Sequence, residues 1–318
     1  MRKSLMSLLL VAVALAGCGA GDDGRADQTG SRPVTLALDF QPNAVHAGVY
    51  TATAEGLDRE RGLALTVRAP SASTDSLKLL AAGRADLAIV DIHDLGLARE
   101  GGADVVGVGA IVQRPLAAVI AGPEVRRPRD LEGRRVGVTG LPSDDAVLTA
   151  VVAADGGDPD SVRRTTIGFS AVPSLVAGRV DAVVTFWNAE GVALRERGVR
   201  TREFRVDEFG APRYPELVLA TTGETLRARP GLVRDTIAAL AAGTQQALAD
   251  LPASADRIAQ ASDGDAALVT AQLEAVAPAL EPPLELDRAA LKRWARFDAR
   301  FGILESPPEV EAAFPLLR

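Results

Sequence analysis

Cysteine, aromatic residues, lysine and histidine are all scarce in this chain of 318 residues, and each scarcity excludes a class of site. A single cysteine excludes a disulfide framework and a thiolate metal site within the chain. Aromatic residues make up 4% of the chain and hydrophobic residues 47%, so the core must consist mostly of Ala, Val and Leu. The net charge of −7, with both signs interspersed, provides no basic surface for nucleic acid. We expect no nucleic-acid partner.

The first eighteen residues have the pattern of a bacterial export signal. Arg2 and Lys3 precede the apolar stretch 4–16, which is too short for a comfortable membrane span. The segment Leu-Ala-Gly-Cys at 15–18 resembles a lipobox, in which the cysteine is acylated and becomes the new N-terminus. The pattern predicts a signal peptide over 1–17 and lipidation of Cys18. The alternative is an ordinary secretory signal with an incidental cysteine.

After Cys18 the chain is small, polar and charged up to residue 33, which predicts a flexible tether over 18–33. No later apolar run reaches the length of a membrane helix. Two or three acyl chains at one cysteine hold a protein stably on a bilayer. We therefore expect an extracytoplasmic protein, lipid-anchored to the outer face of the bacterial cytoplasmic membrane.

Apolar strand-like runs alternate with helical stretches along the chain, which is typical of the α/β class. The predicted strands cover 34–38, 63–68, 85–90, 105–111, 116–121, 135–138, 165–167, 181–185 and 217–221. The clearest helices between them cover 46–55, 74–82, 144–154 and 172–177. From residue 230 the pattern becomes helical, with predicted helices over 230–249, 254–262, 266–275 and 287–300.

One internal echo connects two distant segments. Residues 77–90 and 173–186 each contain a helix ending at Ala-Gly, then Arg-x-Asp, then a buried strand. Polar or aromatic residues follow each strand, and ligand groups gather at the carboxyl ends of parallel strands. The echo predicts two similar lobes that face each other across a cleft, a favoured place for a small-molecule site.

Several motifs follow one another in a definite order along the chain. They are Phe-Gln-Pro-Asn at 40–43 with His46, the Gly-Leu pairs at 56–57 and 62–63, and Gly-Arg-Ala-Asp at 83–86. Asp-Leu-Glu-Gly-Arg-Arg-Val-Gly at 130–137 and Phe-Trp-Asn-Ala-Glu-Gly at 186–191 continue the pattern. Together these motifs resemble the periplasmic-binding-protein superfamily that includes thiamine-pyrimidine-precursor, riboflavin and alkanesulfonate binding proteins. The resemblance covers roughly residues 34–230.

This resemblance implies a two-lobed type II fold with a hinge of two crossovers and a helical C-terminal part. Lobe 1 is expected from 34–117 and 214–318, and lobe 2 from 118–213. The implied function is capture of a small heteroaromatic ligand, a thiamine pyrimidine precursor before riboflavin or an alkanesulfonate, and its delivery to an ABC permease. We expect a monomer, with no cofactor and no metal.

The same superfamily contains an enzyme that builds the thiamine pyrimidine from histidine and pyridoxal phosphate bound to a lysine. The position of that lysine is occupied here by Val90, and His93 lies one residue short of the aligned histidine. The lysines of the chain after the signal are Lys78, on a helix before the turn, and Lys292 in the tail. A Schiff base needs an amine, and the enzyme's cysteine-rich loop is missing. The sequence therefore favours binding over catalysis.

The candidate ligand contacts of lobe 1 follow its first and third strands. Asp39 and Phe40 end the first strand and offer a carboxylate and an aromatic wall, with Asn43 and His46 just beyond. Asp91, His93 and Asp94 end the third strand, and alternation predicts Asp91 and His93 on one face and Asp94 on the other. Each of these residues has a structural alternative in capping or packing. A metal site at Asp91, His93 and Asp94 is the second interpretation of that cluster.

The candidate contacts of lobe 2 lie at a helix start and a strand end. Ser143 is a plausible N-cap, and Asp144 suits the first turn of a helix. Trp187, Asn188 and Glu190 follow a buried strand, and Tyr214 lies at the return crossover. Carboxylates at the helix start argue against an anionic ligand. We expect an aminopyrimidine ring to stack on Phe40 or Trp187, with Glu190 or Asp39 accepting from its amine.

Overall fold

A computed structural model describes residues 30–71 and 75–317 of the chain. The predicted signal peptide over 1–17, the lipidated Cys18 and most of the predicted tether lie outside the described residues. Within the described part, no helix combines the length and apolar character needed to cross a membrane.

Ten strands are present in the described residues, and they form two sheets of five. The strands are β1 (Arg32–Ala37), β2 (Leu63–Arg68), β3 (Leu87–Asp91), β4 (Val105–Ala110), β5 (Ala117–Ala121), β6 (Arg135–Val138), β7 (Arg163–Thr166), β8 (Ala182–Phe186), β9 (Arg202–Arg205) and β10 (Leu217–Thr222).

The two sheets have the same construction. The first has the order β2-β1-β3-β10-β4 and the second β7-β6-β8-β5-β9. In each sheet the first three strands are parallel, and one strand that comes from a crossover, β10 or β5, runs antiparallel to its neighbours. We call the body around the first sheet lobe 1 and that around the second lobe 2. The predicted α/β class and two-lobed fold are confirmed.

Twelve α-helices of the described residues cover and extend these sheets. They are α1 (Ala47–Ala54), α2 (Asp75–Ala81), α3 (Ile92–Glu100), α4 (Pro142–Ala154), α5 (Ala171–Val176), α6 (Glu190–Glu196), α7 (Gly223–Ala228), α8 (Pro230–Ala249), α9 (Leu251–Ser262), α10 (Ala266–Val276), α11 (Arg288–Arg300) and α12 (Val310–Ala313).

The internal echo corresponds to equivalent elements of the two lobes. Asp86 precedes β3 and its carboxylate accepts the backbone N–H of Thr35 in β1 at 2.8 Å. Asp181 precedes β8 and accepts the N–H of Arg135 in β6 at 2.9 Å. In both lobes the aspartate of Gly-Arg-x-Asp therefore bonds the start of one parallel strand to its parallel neighbour. It joins β3 to β1 in lobe 1 and β8 to β6 in lobe 2. The expectation of two similar lobes is met on this detail.

Some boundaries differ from the sequence expectation. β1 begins at Arg32, inside the predicted tether, because Arg32 pairs with Leu63 and its guanidinium bonds to Asp235 at 2.5 Å. Helix α3 begins directly after β3, where the sequence predicted continued extended chain. β5 begins at Ala117, one residue before the predicted lobe boundary. β9 was not predicted, because its sequence Arg-Glu-Phe-Arg is mostly charged and the strand lies at a sheet edge.

The C-terminal helices pack mainly on lobe 1. Helices α1 and α8 approach so closely at Gly48 and Gly243 that a Cβ on Gly48 would lie 2.0 Å from Thr244 Oγ1. Trp294 of α11 is fully buried and meets Phe314 edge to face, which gives it a structural role in the core. Helix α10 also reaches lobe 2, where Gln272 donates to the carbonyl of Ala189 at 3.1 Å.

Candidate functional site

A cavity of about 330 Å³ lies between the two lobes, at the carboxyl ends of the parallel strands of both sheets. Of the predicted contacts, seven line it: Asp39, Phe40, Asn43, Asp91, Ser143, Asp144 and Glu190. The other five are buried outside its wall: His46, His93, Trp187, Asn188 and Tyr214. The volume is at the lower end of the range for small-molecule sites.

The end of β1 presents Asp39 and Phe40 to the cavity, and His46 stands behind them. His46 Nε2 lies 2.8 Å from Asp39 Oδ1, and its Nδ1 accepts the N–H of Asn43 at 3.1 Å. This pattern is that of a neutral imidazole that donates from Nε2. His46 is fully buried, so it fixes the orientation of Asp39 and does not border the cavity itself.

Asn43 borders the cavity, but its amide is used locally. Its Oδ1 accepts the N–H of Val45 at 3.1 Å, and its Nδ2 donates to the carbonyl of Gln41 at 2.9 Å. Asn43 thus caps the short turn before α1, the structural alternative considered for residues of this kind.

The predicted alternation at Asp91, His93 and Asp94 is wrong. The strand ends at Asp91, which caps α3 by accepting the N–H of His93 at 2.8 Å, so helical geometry applies from Ile92. Asp91 and Asp94, three residues apart across a helix start, both line the cavity. His93 points the other way, into lobe 1.

His93 lies in a fully buried polar network behind the cavity. Its Nδ1 is 2.7 Å from Asp298 of α11, and its Nε2 is 3.0 Å from the hydroxyl of Tyr214. Burial disfavours the imidazolium, but Asp298, Asp91 and Glu216 together outweigh it and raise the pKa of His93 to about 10. Tyr214 is thereby tied to the lobe 1 core, which explains why it does not reach the cavity.

The start of α4 is organised by Asp144, where the sequence predicted Ser143 as the N-cap. Helix α4 begins at Pro142 after the N-cap Leu141. Asp144 Oδ2 accepts the N–H of Gly140 at 2.9 Å and the hydroxyl of Thr139 at 2.8 Å. Burial raises the pKa of Asp144, and these hydrogen bonds oppose that shift. Ser143 instead donates to Asp94 Oδ2 at 3.3 Å, a contact between the lobes.

At the end of β8 the aromatic residue in the cavity is Phe186, and Trp187 turns into the hinge. Trp187 Nε1 donates to the carbonyl of Pro115 at 3.2 Å, and the guanidinium of Arg205 stacks 4.2 Å from its ring. Asn188 is fully buried, and its amide atoms have no hydrogen-bond partner among the described residues. β8 ends at Phe186, and the side chain of Trp187, just beyond the strand, packs away from the cavity.

Glu190 is the first residue of α6 and lines the cavity from lobe 2. Its Oε2 accepts the N–H of Phe186 in a long bond of 3.4 Å. Burial raises the pKa of Glu190, and the nearby charge of Asp39 adds to the increase. Glu190 and Asp39 therefore approach the same part of the cavity from opposite lobes.

Several lining residues were missed from the sequence. Phe169 follows β7 and meets Phe40 edge to face, with ring centroids 4.3 Å apart. Glu216 precedes β10, is fully buried, and accepts the N–H of Leu116 at 2.8 Å, which links the two crossovers. Lys78 lies on α2, the helix before the turn as predicted, and it also lines the cavity. Strand-end position offered a signal for Phe169, but none marked Glu216.

The charged groups of the wall are mostly acidic. Among the described lining residues Lys78 is basic. Six are acidic: Asp39, Asp91, Asp94, Asp144, Glu190 and Glu216. Three phenylalanines, Phe40, Phe169 and Phe186, supply flat apolar surface. The cavity can therefore hold a flat ring and accept hydrogen bonds from donor groups on its edge.

A metal could be considered at Asp91, His93 and Glu216, whose ligand atoms lie within 4.8 Å of one another. This set differs from the predicted one, since Glu216 takes the place of Asp94. Both nitrogens of His93 already have partners in Asp298 and Tyr214. A metal at His93 would have to displace Tyr214.

Comparison with known proteins identifies the family. A family model described as NMT1/THI5 like matches residues 43–255. The chain belongs to the NMT1/THI5-like family.

A formylaminopyrimidine-binding protein of Halalkalibacterium halodurans is 37% identical over 218 residues, which are 68% of this chain and 66% of that protein. A 4-amino-5-hydroxymethyl-2-methylpyrimidine phosphate synthase of Saccharomyces cerevisiae is 22% identical over 231 residues, 68% of this chain and 67% of the synthase. The chain thus spans about two thirds of the length of these family relatives.

Solved structures agree on the fold. The alkanesulfonate-binding protein SsuA of Xanthomonas axonopodis, bound to MOPS, superposes with a TM-score of 0.71 at 20% identity, covering 89% of this chain and 99% of that one. At this identity the likeness concerns architecture alone. The predicted superfamily and periplasmic-binding-protein fold are confirmed.

Proposed function

We propose that this protein is the extracytoplasmic solute-binding component of an ABC importer and that its ligand is an aminopyrimidine related to thiamine. The observation that carries the proposal is the acidic, phenylalanine-lined cavity between the lobes. The similarity to a formylaminopyrimidine-binding protein supports the same ligand class. The partner is a permease in the membrane, which receives the ligand from the closed protein.

The cavity chemistry favours an aminopyrimidine over the other ligands of the superfamily. A single ring can pack against Phe40, Phe169 or Phe186, while Glu190 and Asp39 accept hydrogen bonds from an exocyclic amine. An alkanesulfonate would bring a negative charge among six acidic side chains. Riboflavin, with three fused rings and a ribityl chain, fits a cavity of about 330 Å³ less well.

The hinge between the two lobes supports a transport role. The two lobes are joined by the crossovers between β4 and β5 and between β9 and β10, and Arg114 and Asp207 pair across them at 2.6 Å. We propose that lobe 1 (34–117 and 214–318) and lobe 2 (118–213) move as bodies about this hinge. Contacts of both lobes with one ligand would favour the closed form.

We propose binding without catalysis. The synthase alternative requires pyridoxal phosphate on a lysine, and the lysine that lines the cavity is the exposed Lys78. Incubation with pyridoxal phosphate, followed by borohydride reduction and peptide mass analysis, tests this alternative. A pyridoxyl adduct on Lys78 with an aldimine absorbance that Lys78→Ala abolishes would favour the enzyme.

We also propose that Cys18 is lipidated after cleavage of residues 1–17 and that 18–33 includes the tether of a monomer held on the outer face of the cytoplasmic membrane. The support is the Leu-Ala-Gly-Cys segment. Expression of the full chain with an alkyne fatty acid should label the wild type and leave Cys18→Ala unlabelled and released from the membrane fraction.

A thermal-shift panel tests the ligand class. A ligand that binds the folded state raises the melting temperature by mass action. We expect shifts with 4-aminopyrimidines such as the formylaminopyrimidine, and none with taurine or MOPS. A shift with taurine alone would overturn the proposal, and a shift with riboflavin alone would replace the ligand while leaving the transport role.

A further inference from the structure

Three carboxyl groups gather at one end of the cavity, which we call the acidic end: Asp91, Asp94 and Glu216. Asp91 ends β3, Asp94 lies one turn into α3, and Glu216 precedes β10. The carboxyls of Asp91 and Glu216 lie within hydrogen-bonding reach of each other. This end is distinct from the part of the wall where Glu190 faces Asp39.

Two buried oxygens of the acidic end lack an N–H donor. Glu216 is 0% exposed; its Oε2 accepts from Leu116, its Oε1 has no N–H donor among the described residues, and the carboxyl of Asp91 lies within hydrogen-bonding reach of Glu216. Asp94 is 6% exposed, and while its Oδ2 accepts from Ser143, its Oδ1 has no partner in the same part of the chain. Buried polar atoms without partners are rare and destabilising, so they point to a missing donor.

The cationic group of the chain beside these carboxyls does not supply that donor. His93 lies behind Asp91, and its two ring nitrogens face Asp298 and Tyr214. The imidazolium offsets part of the negative charge, but its N–H groups are directed away from the cavity. Within the acidic end the carboxyls of Asp91 and Glu216 hydrogen-bond to each other, so Asp94 Oδ1 is the oxygen left for a donor on a bound molecule.

We propose that the acidic end binds a protonated primary amine on the substituent of the ligand, so that the protein prefers an aminopyrimidine with an ammonium arm to its neutral or formylated analogue. This inference rests on the proposed function and narrows its ligand. An ammonium has three N–H donors and one positive charge, which matches the unpaired oxygen of Asp94 and the negative charge that Asp91 and Glu216 carry once their shared proton leaves. A formamide has one N–H donor and no charge, so it satisfies fewer of them.

The ionisation of the acidic end supports the same ligand. Burial raises the pKa of Asp91 to about 8, and the charge of Glu216 adds to the increase. Burial also raises the pKa of Glu216 and that of Asp94. An incoming ammonium would stabilise the ionised carboxylates, so its binding near pH 7 should release a proton to the buffer.

A divalent metal is the competing occupant of the acidic end. Carboxylates of Asp91 and Glu216 could ligate one, but the third candidate ligand, His93, would have to leave Tyr214. The ammonium needs no such rearrangement. Titration with Zn²⁺ or Mn²⁺ therefore distinguishes a metal from an ammonium.

Calorimetric titration of the full folded chain with three ligands tests the inference. They share the 4-amino-2-methylpyrimidine ring and differ at C5, with aminomethyl, hydroxymethyl or formamidomethyl groups. We expect the aminomethyl compound to bind roughly ten- to a hundredfold more tightly than the others, the range of a charged hydrogen bond. Its binding enthalpy should vary with the ionisation enthalpy of the buffer, because a proton is released.

Two isosteric variants locate the effect. Asp91→Asn keeps a good helix cap, and Glu216→Gln keeps an acceptor for the Leu116 N–H, so both should fold. Each should remove most of the preference for the aminomethyl compound while changing hydroxymethyl binding little. Asp145→Asn is the matched control, because Asp145 is exposed at the start of α4 and pairs with Arg164.

The possible results are distinguishable. Equal or tighter binding of the formamidomethyl compound would overturn the inference and leave the proposed function standing. Binding of none of the three would overturn both. Tight binding of Zn²⁺ or Mn²⁺ that Asp91→Asn and Glu216→Gln abolish, without an amine preference, would assign the acidic end to a metal.

Discussion

Phe40 of lobe 1 and Phe169 of lobe 2 meet edge to face across the cleft, with ring centroids 4.3 Å apart and an interplanar angle of 66°. Both rings also line the cavity. The contact therefore joins the two lobes at the site itself, together with the Ser143–Asp94 hydrogen bond. In the proposed function, ligand binding and lobe closure involve these same residues.

A double-mutant cycle tests the coupling between the two rings. We expect Phe40→Leu and Phe169→Leu each to weaken ligand binding, and the double variant to lose less than the sum. The coupling should be about 0.5–1.5 kcal/mol, the range for an aromatic pair. Phe209→Leu is the control partner for Phe40→Leu, because Phe209 pairs with Phe204 outside the cavity. If the losses of binding free energy in Phe40→Leu and Phe169→Leu simply added in the double variant, the contact between the two rings would have no role in binding.

Glu190→Gln tests the carboxylate that faces the exocyclic amine. The variant keeps the shape but loses a charged acceptor, so ligand affinity should fall roughly ten- to a hundredfold, about 1.5–3 kcal/mol. The melting temperature of the ligand-free protein should change little. Glu196→Gln, at the exposed end of the same helix, is the control. Unchanged affinity in Glu190→Gln would exclude this residue from the site.

Trp187→Ala tests the assignment of Trp187 to the hinge. The ring is 4% exposed, bonded to Pro115 and stacked by Arg205. Its removal should lower the free energy of unfolding by about 3–5 kcal/mol. Trp187→Phe should lose less of the free energy of unfolding. The ligand affinity of each variant that folds should stay within a few fold of wild type. A stable Trp187→Ala protein with greatly reduced affinity would instead assign the ring to the ligand.

The buried network around His93 predicts that alkaline pH destabilises the ligand-free protein. His93 faces Asp298, Asp91, Glu216 and the hydroxyl of Tyr214, and its pKa rises from 6.5 to about 10 on folding. The folded state thus holds a proton that the unfolded state releases above pH 6.5. This stability is complete below pH 6.5 and is lost as pH rises through about 10, by up to about 1.4 kcal/mol per pH unit.

Denaturant unfolding of wild type and His93→Gln at pH 6.5, 8 and 10 measures this loss. Between pH 8 and 10 the wild-type free energy of unfolding should fall more steeply than that of His93→Gln, which has no imidazole to titrate. Burial also raises the pKa of Asp91 to about 8, so part of the decline below pH 8 remains in the variant. Parallel profiles above pH 8 would mean that His93 is neutral in the folded protein.

The sequence predicted much of the fold because repeated local patterns specify it. Gly-Arg-x-Asp occurs before β3 and before β8, and both aspartates anchor their strand in the same way. The predicted helix 230–249 coincides with α8, where Pro230 starts the helix. Charged edge strands such as β9 lack a hydrophobic pattern and cannot be recognised in this way.

The site was less predictable because it depends on where strands end. Asp91 ends β3 and caps a helix, so residues 92–94 are helical where extended chain was predicted, and this reverses the directions of His93 and Asp94. Trp187 was predicted as a ligand contact, but β8 ends at Phe186, which lines the cavity, and Trp187 beyond the strand packs at the hinge. Glu216 reaches the site through the packing of two crossovers that are distant in sequence. No local pattern contains that information.

Calorimetric titration of the wild-type protein with the formylaminopyrimidine and its aminomethyl analogue tests the central claim most directly. The proposed function predicts saturable binding of at least one of them with one site per chain, and reduced affinity in Glu190→Gln. No binding of either compound, with saturable binding of taurine or riboflavin under the same conditions, would contradict the claim that this cavity receives an aminopyrimidine.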